Sequence, residues 1–175
     1  MLLTITSLLG RCRFPATGDG PVTLAVSGGP DSLAMLVLAA QAGLDATAVH
    51  VDHGLRAGSA DEADVVRDAA ARYGAAFRSE RVAVGAGANL EARARAARRA
   101  VLPRDALTGH TADDQAETVL LNLLRGSGLD GVRGIGSPQR RPLLALRRRD
   151  THAVCAAVGL TPVVDASNTD PAFTR

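Results

Sequence analysis

From Val22 onward, short apolar runs alternate with longer helix-favouring stretches, and that order restricts the fold more than any other feature of the chain. Val22–Val26 (VTLAV) is an apolar run ending in a glycine turn, the pattern of a buried strand. Ser32–Ala42 is apolar and helix-favouring, with Gly43 placed to end it. Ala46–Val51 reads as a second strand. Ser59, with Glu62 three residues on, opens a helix running to about Tyr73, and Gly74 closes it. Phe77–Val84 is a third strand, and Asn89 caps a helix through Val101 that Pro103 stops. Ala106–Gly109 gives a short fourth strand. Asp113–Leu124 gives a helix with acids in its first turn, where the dipole favours them. Arg125–Gly136 is loop, Thr151–Val158 is helical, and Leu160–Val164 is a fifth strand. The expected fold is α/β, a three-layer domain with a mostly parallel five-stranded sheet and helices on both faces. Ligands of such sheets bind beyond the carboxyl ends of the strands, so the residues just after each strand are the candidates.

Three motifs occupy those positions. Ser27-Gly28-Gly29-Pro30-Asp31-Ser32 follows the first strand. Its glycines let backbone approach an anion, the next helix offers free amides, and Ser27 and Ser32 add hydroxyls. The chain contains no lysine, so this cradle works without a Walker lysine. A carboxylate inside an anion cradle is unfavourable unless it holds a cation, which makes Asp31 a candidate ligand of Mg2+ bridging the phosphates. His50-Val51-Asp52-His53-Gly54-Leu55-Arg56 follows the second strand. His50 and His53 in an extended segment do not converge on one ion, so this edge is read as a surface for an adenine base, not as a zinc site. His110-Thr111-Ala112-Asp113-Asp114-Gln115-Ala116-Glu117-Thr118 follows the fourth strand. Asp114 and Glu117 share a helix face, and with His110 they could bind a cation, hold an amine or shuttle protons.

All basic residues are Arg, and the formal charge is only +2, but the distribution is uneven. Arg93, Arg95, Arg98, Arg99 and Arg104 crowd one segment; Arg140, Arg141, Arg147, Arg148 and Arg149 crowd another. Such clusters suit phosphate, hence nucleotide or RNA; each taken alone also reads as a solvated helix face. Cys12 and Cys155 form no short-spaced metal or redox motif, and two unpatterned thiols fit a reducing, cytoplasmic setting. There is no signal-peptide pattern, and no apolar run reaches the roughly 18 residues of a membrane span.

The first motif resembles the SGGxDS pyrophosphate loop of the N-type ATP pyrophosphatases, whose fold is that of the adenine nucleotide alpha hydrolases. The ordered set resembles the tRNA(Ile)-lysidine synthase family more closely. That family carries SGGxDS, HVDHGLR, an EAxAR helix, HxxDDQxET, RGSG, RPLL and SNxDxxFxR. Here they are Ser27–Ser32, His50–Arg56, Glu91–Arg95, His110–Thr118, Arg125–Gly128, Arg141–Leu144, and Ser167-Asn168 with Asp170, Phe173 and Arg175.

The resemblance implies ATP-dependent adenylylation of the C2 oxygen of the wobble cytidine in tRNA(Ile) with a CAU anticodon. L-lysine then attacks C2, and AMP and pyrophosphate are released. Carried over by position, Ser27, Gly28, Gly29, Pro30 and Ser32 would hold the phosphates and Asp31 would handle Mg2+. His50, Asp52 and His53 would meet the adenosine. His110, Asp114 and Glu117 would line the lysine and cytidine pocket, and Arg95 would face phosphate or cytidine. The resemblance also allows a homodimer. The chain is expected to be a single catalytic domain without the family's C-terminal tRNA-binding domains. Two alternatives stay open: another N-type ATP pyrophosphatase, thiolating tRNA or forming an amide, and a nucleotide-binding module without turnover.

Overall fold

The computed structural model describes residues 5–54, 59–83, 90–127 and 134–163. In chain order they form α1 (Ile5–Leu9), β1 (Val22–Ala25), α2 (Pro30–Gln41), β2 (Ala46–Asp52), α3 (Ser59–Arg72) and β3 (Ala76–Arg81). Then come α4 (Leu90–Val101), β4 (Leu107–Thr108), α5 (Ala112–Leu124), a 3-10 turn (Pro138–Arg140) and α6 (Arg148–Ala157). The alternation expected from Val22 to Leu124 is present, with ends shifted by a few residues. Neither α1 nor the 3-10 turn was expected, because both are too short to show a period.

All strand pairs are parallel, in the order β3-β2-β1-β4. The chain steps outward from β1 to β3, then returns to add β4 along the other edge of β1. The registers Leu24 with Leu107 and Ala25 with Thr108 fix that last pair. The switch point therefore lies between β1 and β4, and in such sheets the ligand crevice lies beyond the carboxyl ends of the strands at that point. Reversing direction with right-handed crossovers assigns α4 to the face opposite α2 and α3.

The sheet has four strands among the described residues, not the expected five. Leu160–Val163 forms no strand. Pro162 has no N–H to give a ladder, and the amide of Val163 donates instead to the carbonyl of Gly28 at 3.0 Å. The segment thus lies on the turn after β1 rather than beside a strand. The Gly85–Ala88 loop, the Asn89 cap, Leu55, Arg56, Gly128 and everything from Val164 to Arg175 lie outside the described residues.

The core centres on α2. Its residues from Ser32 to Ala39 are all buried, and the apolar ones from Leu33 to Ala39 are fully so. A helix apolar on every side needs cover on every side, and α2 packs against β1, β2, α1, α3 and α6. Leu24, Val26, Leu107, Leu143 and Leu146 complete the cluster. With almost no aromatics, this packing rests on interdigitated Leu, Val and Ala. No helix among the described residues is long and apolar enough to cross a membrane.

Because α2 carries both the core and the rim of the crevice, its packing sets overall stability. Leu36→Ala should cost about 2–5 kcal/mol in urea denaturation. A loss under about 1 kcal/mol would mean that Leu36 is not enclosed as described.

Candidate active site

The turn between β1 and α2 is held by its own side chains. The hydroxyl of Ser32 donates to the carbonyl of Gly29 at 2.9 Å and accepts from the backbone N–H of Ser27 at 3.2 Å. The hydroxyls of Ser27 and Ser32 are also 3.2 Å apart. Gly28 has φ +88°, a conformation costly for other residues, and a side chain there would meet Val163 at 2.9 Å. Gly29 enters α2 in extended geometry with Pro30 at the first helical position, where its missing N–H costs nothing. The first-turn N–H groups of α2 have no carbonyl partner inside the helix, so they face the crevice at its positive dipole end.

Carboxylates gather at the same place. Asp31 accepts from the hydroxyl of Thr151, on α6, and its Oδ2 is 3.9 Å from Nε of Arg148. Arg148 also reaches Oδ1 of Asp114 at 3.0 Å and Oε1 of Glu117 at 3.3 Å. One guanidinium therefore faces three carboxylates from two helices. Asp114 has a second role at its other oxygen, which accepts from the N–H of Thr111 at 2.7 Å and its hydroxyl at 3.0 Å, capping α5. Asp113 accepts from the N–H of Arg148 at 2.8 Å, capping α6. Burial holds the Asp31 carboxyl above its usual range, Asp114 adds to the rise, and Thr151 and Arg148 oppose it.

On the other side the charge is positive. Arg98 is half-buried, and that partial burial, with Arg95 and Arg99, lowers its pKa. Arg141 is lowered by burial and by Arg140, Arg95 and Arg99, so the two arginine segments of the sequence meet in space. Arg140 reaches back to the carbonyl of Arg104. Among the described residues, none of Arg95, Arg98, Arg99, Arg140 and Arg141 forms an ion pair with a carboxylate. His110 sits at the end of β4 with Nδ1 2.8 Å from the hydroxyl of Thr108. Burial, then Arg141, lowers its pKa to about 4, with Asp114 pulling the other way. His53 is lowered by burial and Arg98, and its buried Nδ1 has no hydrogen-bond partner among the described residues.

Residues 5–175 match the PP-loop domain family. The chain belongs to that family. It is 47% identical over 169 residues to the tRNA(Ile)-lysidine synthase of Nocardia farcinica, which covers 88% of this chain and 51% of that protein. The Mycobacterium tuberculosis tRNA(Ile)-lysidine synthase is 48% identical over 161 residues, 87% of this chain and 50% of that one. The chain thus spans about half the length of the curated relatives it matches. Among solved structures, the tRNA thiolase NcsA of Methanococcus maripaludis superposes with a TM-score of 0.71 at 16% identity, over 98% of this chain and 67% of that one. That likeness concerns the fold.

Asp31 of the PP-loop, Asp114 and Glu117 meet around Arg148, and His110 lies near Asp114. His50 does not join them. It is 2% exposed, and Nδ1 donates to the carbonyl of Val26 at 3.1 Å, so its ring ties β2 to the end of β1. Asp52 accepts from the N–H of Gly54 at 2.8 Å and shapes the turn after β2. Arg95 lies on the basic side, not in the acidic cluster. Sequence reasoning missed Arg148 and Thr151 as members of the site, having read Arg148 only as one of a run. The RPLL motif just upstream was the available signal, because it anchors α6: Leu143 and Leu146 are fully buried, and the carbonyl of Leu146 accepts from Ala112 at 2.8 Å.

Two titrations follow. The imidazole of His110 should titrate by NMR with a midpoint of about 4; a midpoint near its usual 6.5 would mean that the ring is open to water. Asp31 has a folded pKa above its unfolded one, so its ionisation costs stability once the pH rises through that folded value. Asp31→Asn should therefore raise urea stability at pH 7, with the gain fading as the pH falls and the wild-type carboxyl takes up its proton. A loss of stability at pH 7 would reverse the sign and refute the reading.

Proposed function

We propose that this chain performs the ATP-dependent chemistry of a tRNA(Ile)-lysidine synthase. The observation that carries the reading is the meeting of the PP-loop with the carboxylates of Asp31, Asp114 and Glu117 at the switch point. The similarity to curated synthases supports it.

In this reading the C2 oxygen of the target cytidine in tRNA(Ile) attacks the α-phosphorus of ATP, and the bond to the β-phosphate oxygen breaks. The amides and hydroxyls of Ser27–Ser32, with the dipole of α2, stabilise the charge on the departing pyrophosphate. The ε-nitrogen of L-lysine then forms a bond to C2. The C2–O bond breaks, AMP leaves with that oxygen, and the nitrogen gives up a proton. Asp114 and Glu117 attract the ammonium form of the amine. His110, neutral at pH 7, keeps a ring nitrogen able to accept a proton. Arg95, with Arg98, Arg99, Arg140 and Arg141, offers cations that pair with no carboxylate among the described residues to the phosphodiester backbone of the RNA.

Mg2+ fits the donor set. Among the described residues no three His, Cys, Asp or Glu side chains form a metal site on their own. Magnesium, however, commonly takes one or two carboxylates and completes its shell with phosphate oxygens and water. Asp31, a carboxylate within a loop shaped for anions and raised in pKa by burial, fits the place of such a ligand. When bound, the ion would neutralise phosphate charge.

A sulfur-transferring PP-loop enzyme is the other reading, and the thiols weigh against it. Burial raises both Cys12 and Cys155 to about 11, so neither supplies a thiolate at neutral pH.

The test is pyrophosphate release from ATP with L-lysine and tRNA(Ile) bearing a CAU anticodon. Release should require both lysine and the tRNA, and Asp31→Asn should reduce it by at least about 100-fold. Release that is indifferent to lysine, or that depends on a sulfur donor, would count against the lysine ligase.

A further inference from the structure

The chain from α6 to Val163 holds the PP-loop at three neighbouring points. The amide of Val163 donates to the carbonyl of Gly28 at 3.0 Å, and the thiol of Cys155 donates to the carbonyl of Pro30 at 3.4 Å. The third contact joins the hydroxyl of Thr151 to Oδ1 of Asp31. The first two grip backbone and keep the loop seated. Of the three, the Thr151 contact alone fixes a side chain. Thr151 is 0% exposed. A buried threonine in a helix commonly satisfies its hydroxyl on a carbonyl one turn back, and Thr151 reaches that of Arg148 at 2.7 Å. Packing and that bond would account for Thr151 if Oδ1 of Asp31 were not also in reach.

The hydroxyl has one proton and two acceptors in range. With Asp31 neutral, the carboxyl O–H at Oδ1 donates to Oγ1 of Thr151, whose own proton goes to the carbonyl of Arg148. Once the carboxyl has lost its proton to water, the hydroxyl turns and donates to Oδ1. In both states Oδ1 is held. Oδ2 accepts no hydrogen bond among the described residues, and Nε of Arg148 stands 3.9 Å from it. The charged and titratable groups that face Asp31 among the described residues are Asp114 of α5 and Arg148, His152 and Cys155 of α6.

We propose that Thr151 is a positioning residue for the PP-loop carboxylate: by holding Oδ1 of Asp31 in both protonation states, it fixes the side chain with Oδ2 left open beside the phosphates. The proposal rests on the reading of Asp31 given under the proposed function.

The experiment compares the wild-type chain with Thr151→Val, which keeps the shape and loses the hydroxyl, and Thr151→Ser, which keeps the hydroxyl and loses a methyl. If Thr151 only fills space, Ser is the more damaging change; if it positions Asp31, Val is. A hydrogen bond to a carboxylate favours its charged form. The Asp31 pKa, followed by carboxyl 13C NMR without substrate, should therefore rise by about one unit in Thr151→Val and stay near wild type in Thr151→Ser. In pyrophosphate release, kcat should fall about 10-fold in Thr151→Val with the KM for L-lysine unchanged, and Thr151→Ser should retain most of it. An Asp31 titration that Thr151→Val leaves unmoved overturns the proposal. So does a shifted titration with unchanged kcat, or a Ser variant that loses as much kcat as Val. A wild-type chain without lysine-dependent release would sink the ligase reading, and the titration would still decide whether Thr151 holds Asp31. Should Thr151→Val not fold, Thr151→Ala set against Thr151→Ser differs by the hydroxyl alone and carries the same two measurements.

Discussion

Gly109 lies so close to the turn after β1 that a methyl group would not fit. A Cβ there would stand 2.8 Å from the carbonyl oxygen of Asp31 and 3.1 Å from the Cα of Ser32. Those atoms are backbone, which cannot swing aside as a side chain can. This contact seats the tip of β4 against the first turn of α2 at the switch point. Everything chemical is hung from it: the PP-loop on one side, and His110, Thr111 and α5 on the other. It also delivers Asp114 and Glu117 to Asp31, although far separated in sequence.

Around that contact the charges are sorted by sign. Asp31, Asp114 and Glu117 cluster on Arg148, while Arg95, Arg98, Arg99, Arg140 and Arg141 crowd the side of His110 and His53. Sorting of this kind opposes folding on its own, since like charges repel and buried ones lose hydration. It persists because α2 and the RPLL segment supply a core strong enough to hold it. A site that strains its own protein is poised to gain from ligands of opposite sign: cations on one side, phosphates on the other. Under the proposed function, activity and stability pull on Asp31 in opposite directions.

Several acids also do two jobs. Asp114 caps α5 with one oxygen and pairs with Arg148 through the other; Asp113 caps α6 from a different helix. The capping role of Asp114 and its place in the acidic cluster therefore coexist, at different oxygens of the same carboxylate. His50 shows the opposite case. Its place in the motif at the end of β2 marks it for ligand contact, yet its Nδ1 is spent on joining β2 to the end of β1.

The alternation of strands and helices, the glycine turn and the acids after β4 were legible in the sequence because each depends on residues a few positions apart. Periodicity, capping and the φ demanded of Gly28 are local properties. The fifth strand was misread because a strand needs a neighbour, and the amide of Val163 found the carbonyl of Gly28 instead. The cluster around Arg148 and the union of the two arginine segments were decided only by the tertiary structure. Coulomb interactions depend on distance through space, and the reversal of strand order that brings Asp31 to Arg148, and Arg98 toward Arg141, is written in no local pattern.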